Sequence, residues 1–356
     1  MRHARAGTAL TAWRAERSGS GPPERRRPAP GYAAAPNDAA RRRFLGSTVA
    51  AAFAALAFGG GFGGLARLTF AQSGTRSIAA DDVANGLVRI SGVGGNALLY
   101  KGADGAALVD SGSPEDASAL AKYVNESLGG APVDVLFNTH WHTEHTGANE
   151  TFGREGARIV AHENTRLWMS TEYYVDWQDR TYGPRPAAAL PTETFFSSDP
   201  QPIALDIGGE RIEYGHLREA HTDGDIYVFF RDRNVIATGD VVTAGAYPIL
   251  DYATGGWIGG LMDATRKLIE LGNADTIFVP GTGAAQSRDH LERQYEMVAA
   301  VRERVETMMR QGKSAEEMLA AGVTAEFDSA WGQNRARFIA NVYGGLWWQG
   351  RLDGSL

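Results

Sequence analysis

His140-Trp141-His142-Thr143-Glu144-His145 places three of the chain's eight histidines within six residues. It follows directly on Val133-Asp134-Val135-Leu136-Phe137-Asn138, which reads as a buried strand. In an extended chain residues i and i+2 project to the same side, so His140 and His142 can both face one ion. Glu144 and His145 follow as the chain turns and can face a neighbouring point. Imidazole and carboxylate donors suit zinc or iron in a site that keeps an open position for water. The small residues Thr146-Gly147-Ala148 suit a packed loop better than a solvated histidine tract.

Outward from this loop, short strands alternate with helices. Upstream, Leu87-Val88-Arg89-Ile90, Ala97-Leu98-Leu99-Tyr100 and Ala106-Ala107-Leu108-Val109-Asp110 read as strands parted by glycine-bearing turns. Ser113 is expected to cap a helix that runs to Leu128 and stops at Gly129-Gly130. Downstream, strands are expected at 158–160, 202–207, 211–216, 226–230, 235–238 and 276–279, with a helix near 262–271. Residues 175–200 carry Pro184, Pro186, Pro191 and Pro200 among aromatics and read as a long surface loop over a site. In the last third, Leu291, Tyr295, Val298, Val305 and Met308 recur at helical spacing, Gly312 ends that helix, and Ser314-Ala315-Glu316-Glu317 has the pattern of a capping box. The class is α/β, with no internal repeat.

The His-x-His-x-acid-His segment resembles the metal-binding loop of the metallo-β-lactamase superfamily, and four further segments match that family in order. Asp110, in Val109-Asp110-Ser111-Gly112, matches its first motif. Ala220-His221-Thr222-Asp223-Gly224-Asp225 is similar to its third-histidine motif, Ala237-Thr238-Gly239-Asp240 to its bridging-aspartate motif, and Val279-Pro280-Gly281-Thr282-Gly283 to its Pro-Gly-His-Gly segment. The resemblance implies an αββα sandwich over 72–285, with metals at one edge of its two sheets and extra C-terminal helices at 286–356. It also implies roles: His140, His142 and His221 hold a first metal, His145 with Glu144 a second, Asp240 bridges both, and Asp110 orients a ligand or a water beside them.

Two departures from the family pattern stand out. Glu144 replaces an aspartate, and its extra methylene displaces the carboxylate by about 1.5 Å. Thr282 replaces the last histidine and, as a poor zinc ligand, becomes a neighbour of the metal instead. The expectation is a tight first site and a weak or empty second one. Zinc is the favoured ion, one per chain with a second left open, and iron or manganese are alternatives. The implied activity is metal-dependent hydrolysis, in which hydroxide generated at the metal attacks an ester, thioester, lactone or amide carbonyl of a small molecule. Asp240 would hold the ion and Glu144 would orient the water or move its proton. Two other readings stand beside it: a non-catalytic metal or ligand binder of the same fold, and an iron-dependent sulfur dioxygenase. β-Lactam hydrolysis is a minor expectation, since cysteine-ligand enzymes are excluded by composition and Thr282 is at odds with those that use the last histidine. Tyr173, Tyr174, Trp177, Tyr182, Phe195, Phe196, Tyr247, Tyr252 and Trp257 read either as an apolar wall of the site or as core.

The 356 residues carry a formal charge of −7, no cysteine, 43% apolar and 22% charged residues, as for a globular protein with a sizeable core. Zero cysteine excludes disulfides, thiolate ligands and a cysteine nucleophile. The first 43 residues hold ten arginines against Glu16, Glu24 and Asp38, a local +7 that leaves −14 for the rest. The acidic body argues against nucleic acid as a partner. Arg41-Arg42-Arg43-Phe44-Leu45-Gly46, then a short apolar run and Thr69-Phe70-Ala71, resemble a twin-arginine export signal cleaved before Gln72. Residues 1–71 are thus expected to be a disordered basic tail plus signal, and the mature protein to be periplasmic, without stable membrane association and free to form homo-oligomers.

Overall fold

The computed structural model describes residues 77–175 and 180–353. The export signal and Trp177 lie outside the described residues. Six strands open the fold: β1 (Ala79–Ala84), β2 (Leu87–Val93), β3 (Gly95–Lys101), β4 (Ala106–Val109), β5 (Val135–Phe137) and β6 (Arg158–His162). β7 (Tyr173–Val175) and β8 (Arg180–Tyr182) form a separate antiparallel pair, and β9 (Glu193–Phe195) returns to the sheet beside β6. The first sheet has the order β1-β2-β3-β4-β5-β6-β9, antiparallel up to β4 and parallel from there on. A second sheet follows, of β10 (Ile203–Ile207), β11 (Glu210–His216), β12 (Ile226–Phe230), β13 (Val235–Gly239) and β14 (Ile277–Pro280), in that spatial order.

The burial patterns explain the layering. β3, β4, β5, β12 and β13 are buried on nearly every residue, as strands covered on both faces must be. One apolar cluster lies between the sheets, joining Leu98, Val109, Phe137 and Val160 to Tyr214, Val228, Phe230 and Ala237. A second covers the outer face of the first sheet, where the helix Ala117–Leu128 buries Leu120, Val124 and Leu128 at i, i+4 and i+8 and stops at Gly129, φ +65°. A third packs the helices Ile258–Leu271, Arg288–Arg310 and Arg335–Asp353 on the outer face of the second sheet. The result is the expected αββα sandwich with additional C-terminal helices. Among the described residues no helix is long and apolar enough to cross a membrane.

Several local expectations change. Residues 175–200 are not a structureless loop: β8 pairs with β7, and β9 extends the first sheet. Three-residue strands flanked by prolines leave no periodic signal to read. Within the same stretch Phe195 is core between the sheets, and Tyr247 is core under the C-terminal helices, so neither lines a site. β1, with the sequence Ala-Ala-Asp-Asp-Val-Ala, lacks apolar alternation and is held by pairing to β2. Ser113 precedes a 3-10 turn, and its hydroxyl bonds the Asp116 carboxylate (2.8 Å) while the helix proper begins at Ala117. The capping box at Ser314 and Glu317 forms as read.

Contacts at the rims bind the two sheets, some of them through specific side chains. Asn96 of β3 donates its amide to the Gly281 carbonyl (2.6 Å) and its side-chain nitrogen to the carbonyls of Pro280 and Gly283 (2.8 Å each). At another edge His162, ending β6, stacks on His216, ending β11, with ring centroids 3.9 Å apart. The tautomers follow from the partners. His216 Nε2 donates to the Asp223 carbonyl (2.9 Å), so its Nδ1 accepts from the Ser197 hydroxyl (2.9 Å). His162 Nδ1 accepts from the Asn164 amide, so its Nε2 donates to Ser197 Oγ (3.2 Å). Burial pushes His162 down to about 3, and burial, reinforced by Lys267 and Arg218 against the Asp223 carbonyl, pushes His216 down to about 4. Both rings therefore stay neutral while the unfolded chain protonates near 6.5, so their stabilisation is complete above that pH and is lost as pH falls towards 4. In metal-free protein, His162→Gln should flatten the fall in unfolding free energy between pH 7 and 4.5 by about 2 kcal/mol. Urea titrations of both proteins across that range measure the difference, and parallel curves would contradict it.

Candidate metal centre

The site assembles where β4, β5, β13 and β14 end. Asp110 follows β4 in left-handed backbone, φ +59°, a conformation that aspartate tolerates better than most residues. Its carboxylate takes the Thr139 amide and hydroxyl (2.7 Å each) and His145 Nδ1 (3.0 Å). It thereby ties the start of the histidine loop to its end. Four imidazoles are buried together: His140, His142, His145 and His221.

The hydrogen-bond partners fix where each imidazole presents its lone pair. The Thr139 hydroxyl donates to Asp110, so it accepts from His140 Nδ1 (3.1 Å), and His140 Nε2 is left buried with no partner. His142 Nε2 faces the Asp251 carboxylate (2.9 Å), which turns the Nδ1 lone pair inward, towards His221. His221 Nδ1 faces the Ile249 carbonyl (2.7 Å), which leaves Nε2 bare. His145 Nδ1 is held by Asp110, and its Nε2 lies 3.4 Å from Asp240 Oδ1. His142 Nδ1 and His221 Nε2 face each other at 3.1 Å. Two lone pairs at that distance repel unless a cation or a proton stands between them. Ligand atoms of His140, His142, His221 and Asp240 all lie within 4.8 Å of one another. Three imidazoles and a carboxylate are a donor set for a borderline-soft divalent ion such as zinc, and the residues present fit one.

The electrostatics agree with that geometry. Burial, reinforced by His145, His221 and His142, pushes His140 well below the usual imidazole range. Burial also opposes charge on His145, but the Asp240 and Asp110 carboxylates outweigh it and hold His145 well above that range. Burial would raise Asp240, yet His145, His221 and His142 overcome it and hold the carboxyl well below its usual value. The metal-free cluster thus favours a proton on His145, between the Asp110 and Asp240 carboxylates.

Backbone without side chains makes the room. A Cβ at Gly281 would overlap Asp240 Oδ1 and His145 Cε1, and one at Gly95 would overlap the His145 ring. The Asp225 carboxylate takes the amides of His221 (2.6 Å) and Thr222 (2.8 Å) and the Thr222 hydroxyl (2.7 Å), and so sets the loop that aims His221.

Of the residues singled out in the sequence, His140, His142, His221 and Asp240 converge, with His145 and Asp110 beside them. Glu144 stands at the rim, its side chain 31% exposed, with Oε1 4.0 Å from His142 Nδ1 and Oε2 accepting from the Thr143 hydroxyl (3.2 Å). Thr282 is exposed, and the residue of that segment that touches the cluster is Gly281. Asp251 and the Ile249 carbonyl escaped the sequence reading. Asp225 was quoted within a motif but given no role.

The metallo-beta-lactamase superfamily profile matches residues 90–298, more than half of the chain, and the protein belongs to that superfamily. Over 203 residues it is 26% identical to 2,4-dinitroanisole O-demethylase subunit alpha from Nocardioides sp. (strain JS1661). That match covers 56% of each chain, so the protein spans about half the length of this curated relative. Among solved structures it is similar to a metallo-beta-lactamase from Pontibacter korlensis, with TM-score 0.51, 19% identity and 63% of this chain over 99% of that one. It is also similar to the stereoselective inverting sec-alkylsulfatase Pisa1 from Pseudomonas sp., with TM-score 0.57, 16% identity and 75% of this chain over 50% of that one. Both likenesses show the fold.

Removing the acceptor behind a ligand should weaken metal binding. Asp251→Ala leaves His142 Nε2 without its partner and is expected to loosen zinc by about 10–100-fold. Competition against a chromophoric chelator reads this directly, and unchanged affinity would show that Asp251 does not set His142.

Proposed function

We propose that the protein is a metal-dependent hydrolase acting at a carbonyl centre of a small molecule, with one ion held by His140, His142, His221 and Asp240. The observation that carries this is His142 Nδ1 and His221 Nε2 turned towards each other at 3.1 Å within a set of four donors, three of them buried. Zinc in such a set supplies Lewis acidity and lowers the pKa of a coordinated water to about 7.

The protein's own residues then have distinct tasks. His145, fixed by Asp110, holds Asp240 Oδ1 and so orients the ligand carboxylate. Asp240 and Glu144 are the partly exposed members, 22% and 31%, so substrate approaches from their side. Glu144 has one carboxylate oxygen occupied by Thr143 and the other turned towards the cluster, a posture suited to taking a proton from the attacking water and returning it to the leaving group. Trp141 lies edge-on to His142, and Tyr173 and Tyr182 pack against Trp141, forming an aromatic wall beside that entrance. Thr282 leaves the second site with Glu144, His145 and the shared Asp240, so this reading has one tightly held ion. The arginine motif at 41–43 supports export through the twin-arginine route as part of the same proposal.

The test is a turnover panel on the zinc-loaded protein: a 4-nitrophenyl ester, a thioester, a lactone, an anilide and a β-lactam. 2,4-Dinitroanisole is added because the curated relative is named for that substrate. Hydrolysis of a carbonyl substrate that stops on chelation and returns with zinc supports the reading, and zinc bound without turnover of any of them overturns it. Glu144→Gln should lower kcat by about 10²-fold or more with zinc content unchanged at one per chain, measured by plasma mass spectrometry. Full turnover by that variant would end the proton-handling role.

A further inference from the structure

Arg185 stands between Pro184 and Pro186, three residues past β8. The flanking prolines restrict the backbone, and the Arg185 amide is anchored to the Met169 carbonyl (2.8 Å). Its guanidinium lies over the Tyr182 ring, 5.8 Å from the centroid. The Tyr182 hydroxyl lies 3.4 Å from Thr143 Oγ1, and Thr143 in turn bonds the Glu144 carboxylate. Tyr182 also packs edge-on to Trp141, which packs edge-on to His142. Through these contacts Arg185 sits on the wall beside the Glu144 side of the metal cluster.

Arg185 Nη2 is buried and has no hydrogen-bond partner. Among the described residues Arg185 pairs with no carboxylate. The nearby Glu144 is already engaged by Thr143 and turned towards His142. Burial pulls the Arg185 pKa down, partly offset by Tyr182 and Glu144, yet a guanidinium remains charged at any physiological pH. Arg185 is half-buried, and a charged donor atom shut off from water without an acceptor is costly for a fold to hold. Its planar fork matches a carboxylate or a similar oxyanion in two parallel hydrogen bonds.

We propose that Arg185 is a specificity residue of this site, binding a carboxylate carried by the substrate close to the bond that is cleaved. The inference rests on the hydrolase reading above, and its test separates the two. Mono-4-nitrophenyl glutarate and 4-nitrophenyl butyrate present similar esters with and without a terminal carboxylate. The zinc-loaded protein should prefer the charged ester by at least tenfold in kcat/KM. Arg185→Gln should bring that ratio close to one, and Arg185→Lys should restore part of it. Arg180, exposed and with its guanidinium 4.8 Å from the Tyr182 centroid, is the control, and Arg180→Gln should keep the ratio. No preference in the wild type, or a preference that survives Arg185→Gln, would overturn the proposal. If neither ester is turned over, ester hydrolysis fails but the inference is still read by calorimetry with glutarate on the zinc-loaded protein. Binding weakened at least tenfold in Arg185→Gln supports it, whereas equal affinity or no binding in the wild type overturns it. Thermal midpoints establish that each variant is folded, and the lysine variant carries the comparison if the glutamine variant is not.

Discussion

Four buried imidazoles can share one small volume only if each turns an N–H outward to an acceptor, with His140, His142 and His221 presenting lone pairs inward and His145 facing the Asp240 carboxylate. The acceptors are Thr139 Oγ1, the carboxylates of Asp251 and Asp110, and the Ile249 carbonyl. None lies in a regular strand, and each must be delivered to within a fraction of an ångström. The strand ends and the loops after them exist, in effect, to carry these acceptors. Without them the rings would rotate, or take up protons and repel one another in a medium too poorly solvated to screen them.

That requirement explains why both sheets contribute. The first supplies Asp110 after β4 and the histidine loop after β5. The second supplies His221 between β11 and β12, Asp240 after β13 and Gly281 after β14. The apolar layer between the sheets sets their separation, and the polar contacts at their rim set the register of one against the other. Glycine stands where backbone must come within touching distance of the cluster, as at Gly95 against His145 and Gly281 against Asp240, because any Cβ would occupy their space.

Much of this was legible in the sequence, for a physical reason. Ligands bunch at strand ends, so they appear as compact motifs: three histidines in six residues, His221 before Thr-Asp-Gly-Asp, and Asp240 after Thr-Gly. Strands buried on both faces announce themselves as apolar runs. Asp251 was invisible because its role depends on a loop folding back 109 residues to His142, and nothing in its neighbours encodes that meeting. β7, β8 and β9 were missed because three-residue strands are too short for periodicity, and Arg185 between two prolines reads as simple loop. Phe195 and Tyr247 could not be sorted from the wall aromatics by composition, since core and cleft use the same side chains. Thr282 stands where the motif has its last histidine, whereas the chain places its neighbour Gly281 against the cluster.

The bonds from Asn96 to the carbonyls of Gly281, Pro280 and Gly283 stitch the two sheets together beside His145 and Asp240. The ligand set therefore straddles a seam. Any change in how far the sheets stand apart is transmitted to the spacing between ligands from opposite sides. A metal ion held there would act as a clasp on that seam, and its affinity would gauge the packing of the core between the sheets. Substitutions at Val160 or Phe230, in the core between the sheets, would register first as a looser clasp and only later as an unfolded chain.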